Sequence, residues 1–97
     1  MFFVLAYDIS TESKAGQKRL RKVAQICENY GQRVQKSVFE FQIKEEKYLQ
    51  LKNEILKKIN KDEDAVRIYR ILEPRDDHVE EYGCFEAVDY EEDALIV

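Results

Sequence analysis

The 97-residue sequence contains few of the residues that build disulfide-rich domains, zinc sites or phosphate-binding loops. Its two cysteines supply neither a disulfide framework nor a zinc-ligand set, and its three glycines are too scattered for a glycine-rich loop. The one histidine, His78, lies in an acidic segment, which argues against a Ser/His/Asp or Cys/His catalytic site. No apolar run approaches the ~20 residues of a membrane span, and Asp8 follows the first apolar run too early for a secretory signal. We therefore expect a cytoplasmic protein that has no membrane partner.

The composition favours one folded domain. Hydrophobic residues make up 44% of the chain and aromatic residues 11%, so disorder is not the default. We predict a single domain over residues 1–97, with a core of about residues 1–72 and an acidic C-terminal extension of about residues 73–97. A chain of this length buries a small core and is marginally stable alone, so we expect a dimer.

Charge is distributed unevenly along the chain. Residues 14–36 carry seven basic side chains and one acidic side chain, whereas the last 22 residues carry nine acidic side chains and no Lys or Arg. The formal net charge of −4 argues against a nucleic-acid partner, but screening over ~8 Å at physiological salt lets the basic segment act locally. The alternative for this segment is an ordinary solvated helix face.

Hydrophobic periodicity predicts six regular elements. The first is an unbroken apolar run, typical of a central strand that is buried on both faces. Val34 and Phe39 fall on opposite phases of a strand, so the chain must turn or bulge between them, and a short hairpin is favoured. We expect Gly31 to end the first helix in a left-handed conformation. In chain order the elements are a strand over 2–7, a helix from Ala15 or Gly16 to Tyr30, two strands within 32–43 broken near Gln35-Lys36-Ser37, a helix over 45–60, and a strand over 65–72.

This order of elements is typical of a ferredoxin-like α+β domain, a split βαβ sandwich with both helices on one face of the sheet. The other face stays open and must be polar or meet a partner. The apolar residues 94–97 follow the acidic stretch and predict an extra C-terminal strand. We expect that strand to pair with a sheet edge, for instance that of a second subunit.

Asp8 is the first candidate site residue because it ends the central strand, and open sheets commonly place ligands beyond the carboxyl ends of their strands. The structural alternative is an aspartate that caps the loop at Ser10-Thr11 through an Asx turn. One carboxylate is a poor metal cage, but Mg²⁺ needs only one or two carboxylates besides water and phosphate oxygens. A two-fold dimer could bring two copies of Asp8 together. Cys27 lies on the apolar stripe of the first helix and is predicted to be core.

Five short segments within the first 72 residues carry a further pattern. They are Tyr7-Asp8-Ile9, Lys18-Arg19-Leu20-Arg21-Lys22-Val23-Ala24, Tyr30-Gly31-Gln32-Arg33-Val34-Gln35, Ser37-Val38-Phe39-Glu40 and Val66-Arg67-Ile68-Tyr69. In this order and spacing they resemble CRISPR-associated protein two, the small dimeric nuclease-like subunit of the bacterial and archaeal spacer-acquisition machinery.

The resemblance implies a ferredoxin-like homodimer whose two sheets face each other, with the C-terminal strand added to the partner's sheet. It implies that Asp8 binds Mg²⁺, or Mn²⁺, and serves in metal-dependent endonuclease cleavage of double-stranded DNA or RNA. It also implies that the dimer bridges the CRISPR-associated integrase, protein one, on duplex DNA during spacer acquisition. The basic and aromatic residues of the family's motifs fall on Tyr7, Arg19, Arg33 and Phe39.

We predict that five basic residues hold phosphates by charge without reading base sequence, while paired Asp8 carboxylates hold the ion that neutralises the scissile phosphate. These basic residues are Lys18, Arg19, Arg21, Lys22 and Arg33. Tyr7 and Phe39 could support the site, and the alternative for both is packing in the core. Two other functions stay open: a non-catalytic DNA-binding scaffold for the integrase, and a toxin-like ribonuclease module.

Overall fold

The structure is a computed structural model that describes residues 1–72 and 74–84. Its elements follow the predicted order, and the fold is the predicted ferredoxin-like α+β type. The predicted extra strand at residues 94–97 lies outside the described residues. The elements are β1 (Phe2–Asp8), α1 (Lys14–Tyr30), β2 (Gln32–Gln35), β3 (Val38–Gln42), α2 (Glu45–Lys58) and β4 (Ala65–Ile71), followed by a 3₁₀ turn (Arg75–Asp77).

The four strands form one antiparallel sheet in the order β2-β3-β1-β4, so β1 is central as predicted. Leu5 of β1 lies opposite Phe39 of β3 on one side and Ile68 of β4 on the other. The second face of β1 is less buried than predicted, because the helices pack on the other face and leave Val4 and Ala6 half-buried. We call the face that carries Val4 and Ala6 the open face.

The helix ends follow local capping chemistry. The side chain of Ser13 caps α1 by accepting a hydrogen bond from the Gly16 N–H at 3.0 Å. The helix therefore begins at Lys14, slightly before the predicted start. α2 ends two residues before the predicted boundary, with Lys57 and Lys58 in its last turn, where positive charge favours the helix dipole.

Gly31 ends α1 for a different reason from the predicted one. Its φ and ψ are both −157°, which is extended backbone, so the expected left-handed conformation is wrong. A Cβ at this position would clash with the carbonyl oxygen of Glu40 and the ring of Phe41 on β3. The absence of a side chain therefore lets the end of α1 pass close to the sheet.

The predicted phase break within residues 32–43 is a hairpin whose turn is formed by Lys36 and Ser37. In addition, β2 bulges between Arg33 and Gln35, so the turn and the bulge that the pattern allowed are both present. As a result, Arg33 lies opposite Phe39 of β3.

One hydrophobic core fills the space between the sheet and the two helices. Cys27 is fully buried in it, which confirms the sequence prediction. The fully buried side chains of this core come from the sheet (Phe3, Leu5, Phe39, Phe41), from α1 (Val23, Cys27) and from α2 (Leu51, Ile55), whereas the buried Phe2 lies on the same sheet face as Val4. In residues 1–72 and 74–84, no helix is both long enough and apolar enough to cross a membrane.

Candidate active site

Asp8 is the last residue of β1, and its backbone pairs with Ala65, the first residue of β4. Side chains alternate along a strand, so Asp8 lies on the same face as Val4 and Ala6, the open face. It is exposed, and within the described ranges it forms no ion pair. Its carboxylate is therefore available to a ligand on that face.

The Asx-turn alternative for Asp8 finds no support in the loop geometry. Such a turn would use the N–H of Ser10, but this group donates to Oδ1 of Asp64 at 3.1 Å. Asp8 is thus a strand-end carboxylate that the loop does not need for its own hydrogen bonding.

A divalent ion would find one carboxylate at this point of the chain. Within residues 1–72 and 74–84, no group of three or more His, Cys, Asp or Glu side chains could hold a metal ion. Mg²⁺ typically takes one or two protein carboxylates and fills its other positions with water and phosphate oxygens. Asp8 fits the role of one such ligand, and the described residues supply no cluster of three or more such side chains to complete the site.

Asp64, which was not predicted as a site residue, joins the loops beside Asp8 through hydrogen bonds. Its side chain is fully buried and accepts hydrogen bonds from the Asn60 N–H at 2.8 Å and from Nε of Arg19 at 2.8 Å, in addition to Ser10. Burial raises the pKa of this carboxyl, but the hydrogen bonds from Arg19, Asn60 and Ser10 outweigh burial and lower the pKa overall. Its only sequence signal is the polar break at residues 60–64, which also fits an ordinary loop.

Arg19 is held by two carboxylates. Nε bonds Asp64, Nη2 lies 3.0 Å from Oε2 of Glu63, and the side chain is only 17% exposed. Its predicted role as a phosphate ligand remains a prediction, and this pairing gives it a second, structural role.

Three of the other predicted phosphate ligands lie exposed on α1. Lys18, Arg21 and Lys22 form no ion pair within the part of the chain that the structure describes. They remain available to an anion, and their predicted role as phosphate ligands stays a prediction. α1 packs on the sheet face opposite the one that carries Asp8, so the structure does not gather these side chains around the Asp8 carboxylate.

Arg33, the fifth predicted phosphate ligand, lies on the aromatic core. Its guanidinium is 5.1 Å from the centre of the Phe39 ring, and its Nη2 lies 3.3 Å from Oε1 of Glu28. Phe39 is fully buried, and Tyr7 is 6% exposed with its hydroxyl donating to the carbonyl oxygen of Lys36 at 3.4 Å. Both rings therefore pack in the core, which is the alternative that the sequence left open, and the Arg33 guanidinium lies over the Phe39 ring.

Residues 1–79 match the sequence model of a family described as CRISPR associated protein Cas2. The chain belongs to the CRISPR-associated Cas2 family. It is similar to a protein of Moorella thermoacetica named CRISPR-associated endoribonuclease Cas2 1, with 48% identity over 94% of this chain and 95% of that protein. It is also similar to a protein of Halalkalibacterium halodurans named CRISPR-associated endonuclease Cas2, with 42% identity over 95% of this chain and 96% of that protein.

The fold agrees with this membership of the Cas2 family. The crystal structure of Streptococcus pyogenes Cas2 superposes with a TM-score of 0.77 and 38% sequence identity. The match covers 86% of this chain and all of that one. The family resemblance that the five sequence segments indicated is thereby confirmed.

Proposed function

We propose that this Cas2 chain is a metal-dependent endonuclease that hydrolyses phosphodiester bonds of double-stranded DNA or RNA. The observation that carries the proposal is the exposed carboxylate of Asp8 at the end of the central strand, on a sheet face that the helices leave open. The names of two relatives, one an endoribonuclease and one an endonuclease, support nucleic-acid cleavage as the reaction class.

A homodimer would complete the site. The half-buried Val4, Ala6 and Val38 give the open face an apolar centre, which is costly to leave in water. A second copy that covers this face about a two-fold axis would present the same surface, and with it a second Asp8. Two carboxylates from one sequence position suit the oxygen ligands that Mg²⁺ or Mn²⁺ prefers.

Each group of residues has a distinct part in the proposed reaction. The Asp8 carboxylates hold the ion, which when bound neutralises charge on the scissile phosphate and polarises water. The exposed Lys18, Arg21 and Lys22 hold phosphates along the nucleic acid, and because they contact only the backbone they select no sequence. No residue near Asp8 in the sequence is an obvious general base, so we expect slow cleavage.

The cellular role that we propose is in CRISPR adaptation. There the dimer would bridge copies of the CRISPR-associated integrase on duplex DNA during spacer acquisition. A protein that lies across a duplex needs charge contacts with the phosphates on a rigid surface, and the exposed basic side chains of α1 supply them.

A non-catalytic scaffold is the second candidate function. One observation favours it: in the ranges described, a single chain offers no group of three or more side chains that could hold a metal ion. A scaffold would use the same basic residues and the same dimer, but it would not need Asp8.

Cleavage by the purified homodimer separates the two functions. Duplex DNA and single-stranded RNA are each incubated with wild type, Asp8→Asn and Asp77→Asn, in Mg²⁺, in Mn²⁺ and in a chelator. We expect wild type and Asp77→Asn, which neutralises an exposed carboxylate on the 3₁₀ turn, to cleave only with metal, and Asp8→Asn to stay dimeric and inactive. Cleavage by Asp8→Asn at the wild-type rate would contradict the nuclease and leave the scaffold. Cleavage of RNA alone without integrase binding would favour a toxin-like ribonuclease.

A further inference from the structure

Asp64 lies beside the backbone that presents Asp8. It immediately precedes Ala65, whose backbone pairs with Asp8 in the sheet. Its Oδ1 also accepts the N–H of Ser10, two residues after Asp8, at 3.1 Å. The chain is therefore attached to the start of β4 at two points, by the backbone pairing of Asp8 and by the hydrogen bond of Ser10.

The same carboxylate also joins this loop to α1. Oδ2 of Asp64 accepts Nε of Arg19 and the N–H of Asn60, each at 2.8 Å. Arg19 lies in the second turn of α1, the helix that follows the loop after Asp8. One buried side chain thus holds the start of this loop, the helix that follows it and the loop before β4.

A carboxylate with no exposed surface is stable only while its partners neutralise it. Removal of Arg19 would leave Asp64 with backbone donors alone, and the least costly response is for the loop to open and admit water. That opening would displace the backbone that follows Asp8, at Ile9 and Ser10. Side chains that orient a metal ligand typically contribute 10–100-fold to metal affinity or activity.

We propose that Asp64 and Arg19 are positioning residues that fix the Asp8 carboxylate for metal binding. The proposal rests on the proposed nuclease function. It assigns Arg19 a role different from that of its neighbour Arg21, which is exposed and free of carboxylate partners in the described ranges. Arg19 then acts through the protein, whereas Arg21 contacts the nucleic acid.

The test compares Arg19→Ala, Arg19→Lys, Asp64→Asn and the double variant Arg19→Ala/Asp64→Asn in the full-length homodimer. Arg21→Ala is the contrast. Arg70→Ala is the matched control, because it removes an exposed 3.4 Å pair with Glu45 at the opposite end of the sheet. Thermal unfolding of each variant sets an assay temperature at which all are folded.

Three quantities are measured: kcat at saturating nucleic acid, Mn²⁺ affinity by electron paramagnetic resonance, and hydrogen exchange at the Ser10 amide. In Arg19→Ala and Asp64→Asn we expect kcat and Mn²⁺ affinity to fall about 10–100-fold, with faster exchange at Ser10. Arg19→Lys should recover part of the loss. The double variant should be no worse than the poorer single variant, because both changes break one unit.

The salt dependence of nucleic-acid binding provides the sharpest contrast. Arg21→Ala should reduce the log–log salt slope by about 0.9, whereas Arg19→Ala should leave it unchanged. A reduced slope in Arg19→Ala, with normal Mn²⁺ affinity and normal Ser10 exchange in Asp64→Asn, would overturn the positioning role. Equal losses in Arg70→Ala would overturn it too, since they would mean general destabilisation. Cleavage by Asp8→Asn at the wild-type rate would contradict the nuclease proposal instead, so the two failures are distinguishable.

Discussion

Arg75 of the 3₁₀ turn forms a two-bond salt bridge with Glu40 of β3, with Nε–Oε1 at 2.8 Å and Nη2–Oε2 at 3.2 Å. The guanidinium also lies 5.9 Å from the centre of the Phe2 ring. The turn after β4 is thus joined to strands β3 and β1, at the end of β1 opposite Asp8. The hydrogen bond that Arg75 donates to Glu40 is the main reason that the pKa of Arg75 is raised.

We predict that Arg75→Ala lowers the free energy of unfolding by about 1 kcal/mol. Charged hydrogen bonds in protected sites contribute about 1.5–3 kcal/mol, and partial exposure of this pair reduces the effect. Arg75→Lys should lose much of the same stability, because an ammonium group lacks the planar fork that bonds both carboxylate oxygens. Urea unfolding of the two variants and of Arg70→Ala, which loses an exposed pair with Glu45 and a guanidinium contact with the Phe3 ring, measures the difference. Equal stability of Arg75→Ala and wild type would show that the turn is not held by this bridge.

Asp64 should make the protein sensitive to acid. Its pKa is lower in the folded state than in an unfolded chain, so its contribution to stability is complete above the ordinary carboxyl pKa. That contribution is lost as the pH falls from about 4 toward the folded-state value. We predict that Asp64→Asn is less stable than wild type at neutral pH and loses less stability on acidification. Urea midpoints from about pH 6 to pH 2 test this, with Asp62→Asn as the control for loss of one exposed charge from the same loop. Parallel pH profiles for wild type and Asp64→Asn would contradict it.

The exposed basic side chains of α1, Lys18, Arg21 and Lys22, should dominate nucleic-acid binding. We predict that Arg21→Ala/Lys22→Ala weakens binding and reduces the log–log salt slope by about 1.8, since each lost phosphate contact removes about 0.9. The matched control is Lys44→Ala/Lys47→Ala, which removes two exposed positive charges at the start of α2, because Lys57 and Lys58 line the same cleft as Lys22. We expect that variant to keep the wild-type slope. A larger slope change in the α2 variant would show that the nucleic acid binds along α2 instead of α1.

The regular elements and the place of Asp8 could be predicted from sequence because they depend on local patterns. Helix periodicity located α1 and α2, the switch of strand phase located the hairpin, and the first apolar run placed Asp8 at the end of the central strand. Gly31 was misread because a glycine after a helix has the same local signature whether it adopts a left-handed conformation or makes room for another strand.

The contacts around Asp8 could not be predicted in the same way. Arg19 and Asp64 are 45 residues apart, and nothing in either segment indicates that they meet. The stacking of Arg33 on Phe39 depends on the β2 bulge, which sets the register between the two strands. Sequence therefore identified Arg19 and Arg33 as basic, while the fold determined that both already have partners within the chain.

Phe39 should behave as a core residue whose loss affects stability before it affects the site. Its side chain is fully buried between Tyr7 and Phe41, with ring centres 6.1 and 6.3 Å away. We predict that Phe39→Ala costs about 3–5 kcal/mol, enough to unfold much of a marginally stable domain, and that Phe39→Leu costs less. Urea unfolding gives both values. If Phe39→Leu is fully folded but inactive, with unchanged affinity for nucleic acid, then the ring has a role in the site beyond packing.

The two cysteines should differ sharply in reactivity. Cys27 is fully buried between α1 and the sheet, and burial raises its pKa to about 12, whereas Cys84 is exposed. At about pH 8 the thiolate fraction of Cys27 is then about 10⁻⁴, and an alkylating reagent reaches this thiol only when the core opens. We predict that iodoacetamide labels Cys84 alone in the native protein and both thiols in urea, as read by intact mass and peptide mapping. Cys84→Ser should abolish native labelling. Rapid native labelling of Cys27 in that variant would mean that the packing of α1 against the sheet opens far more readily than its burial implies.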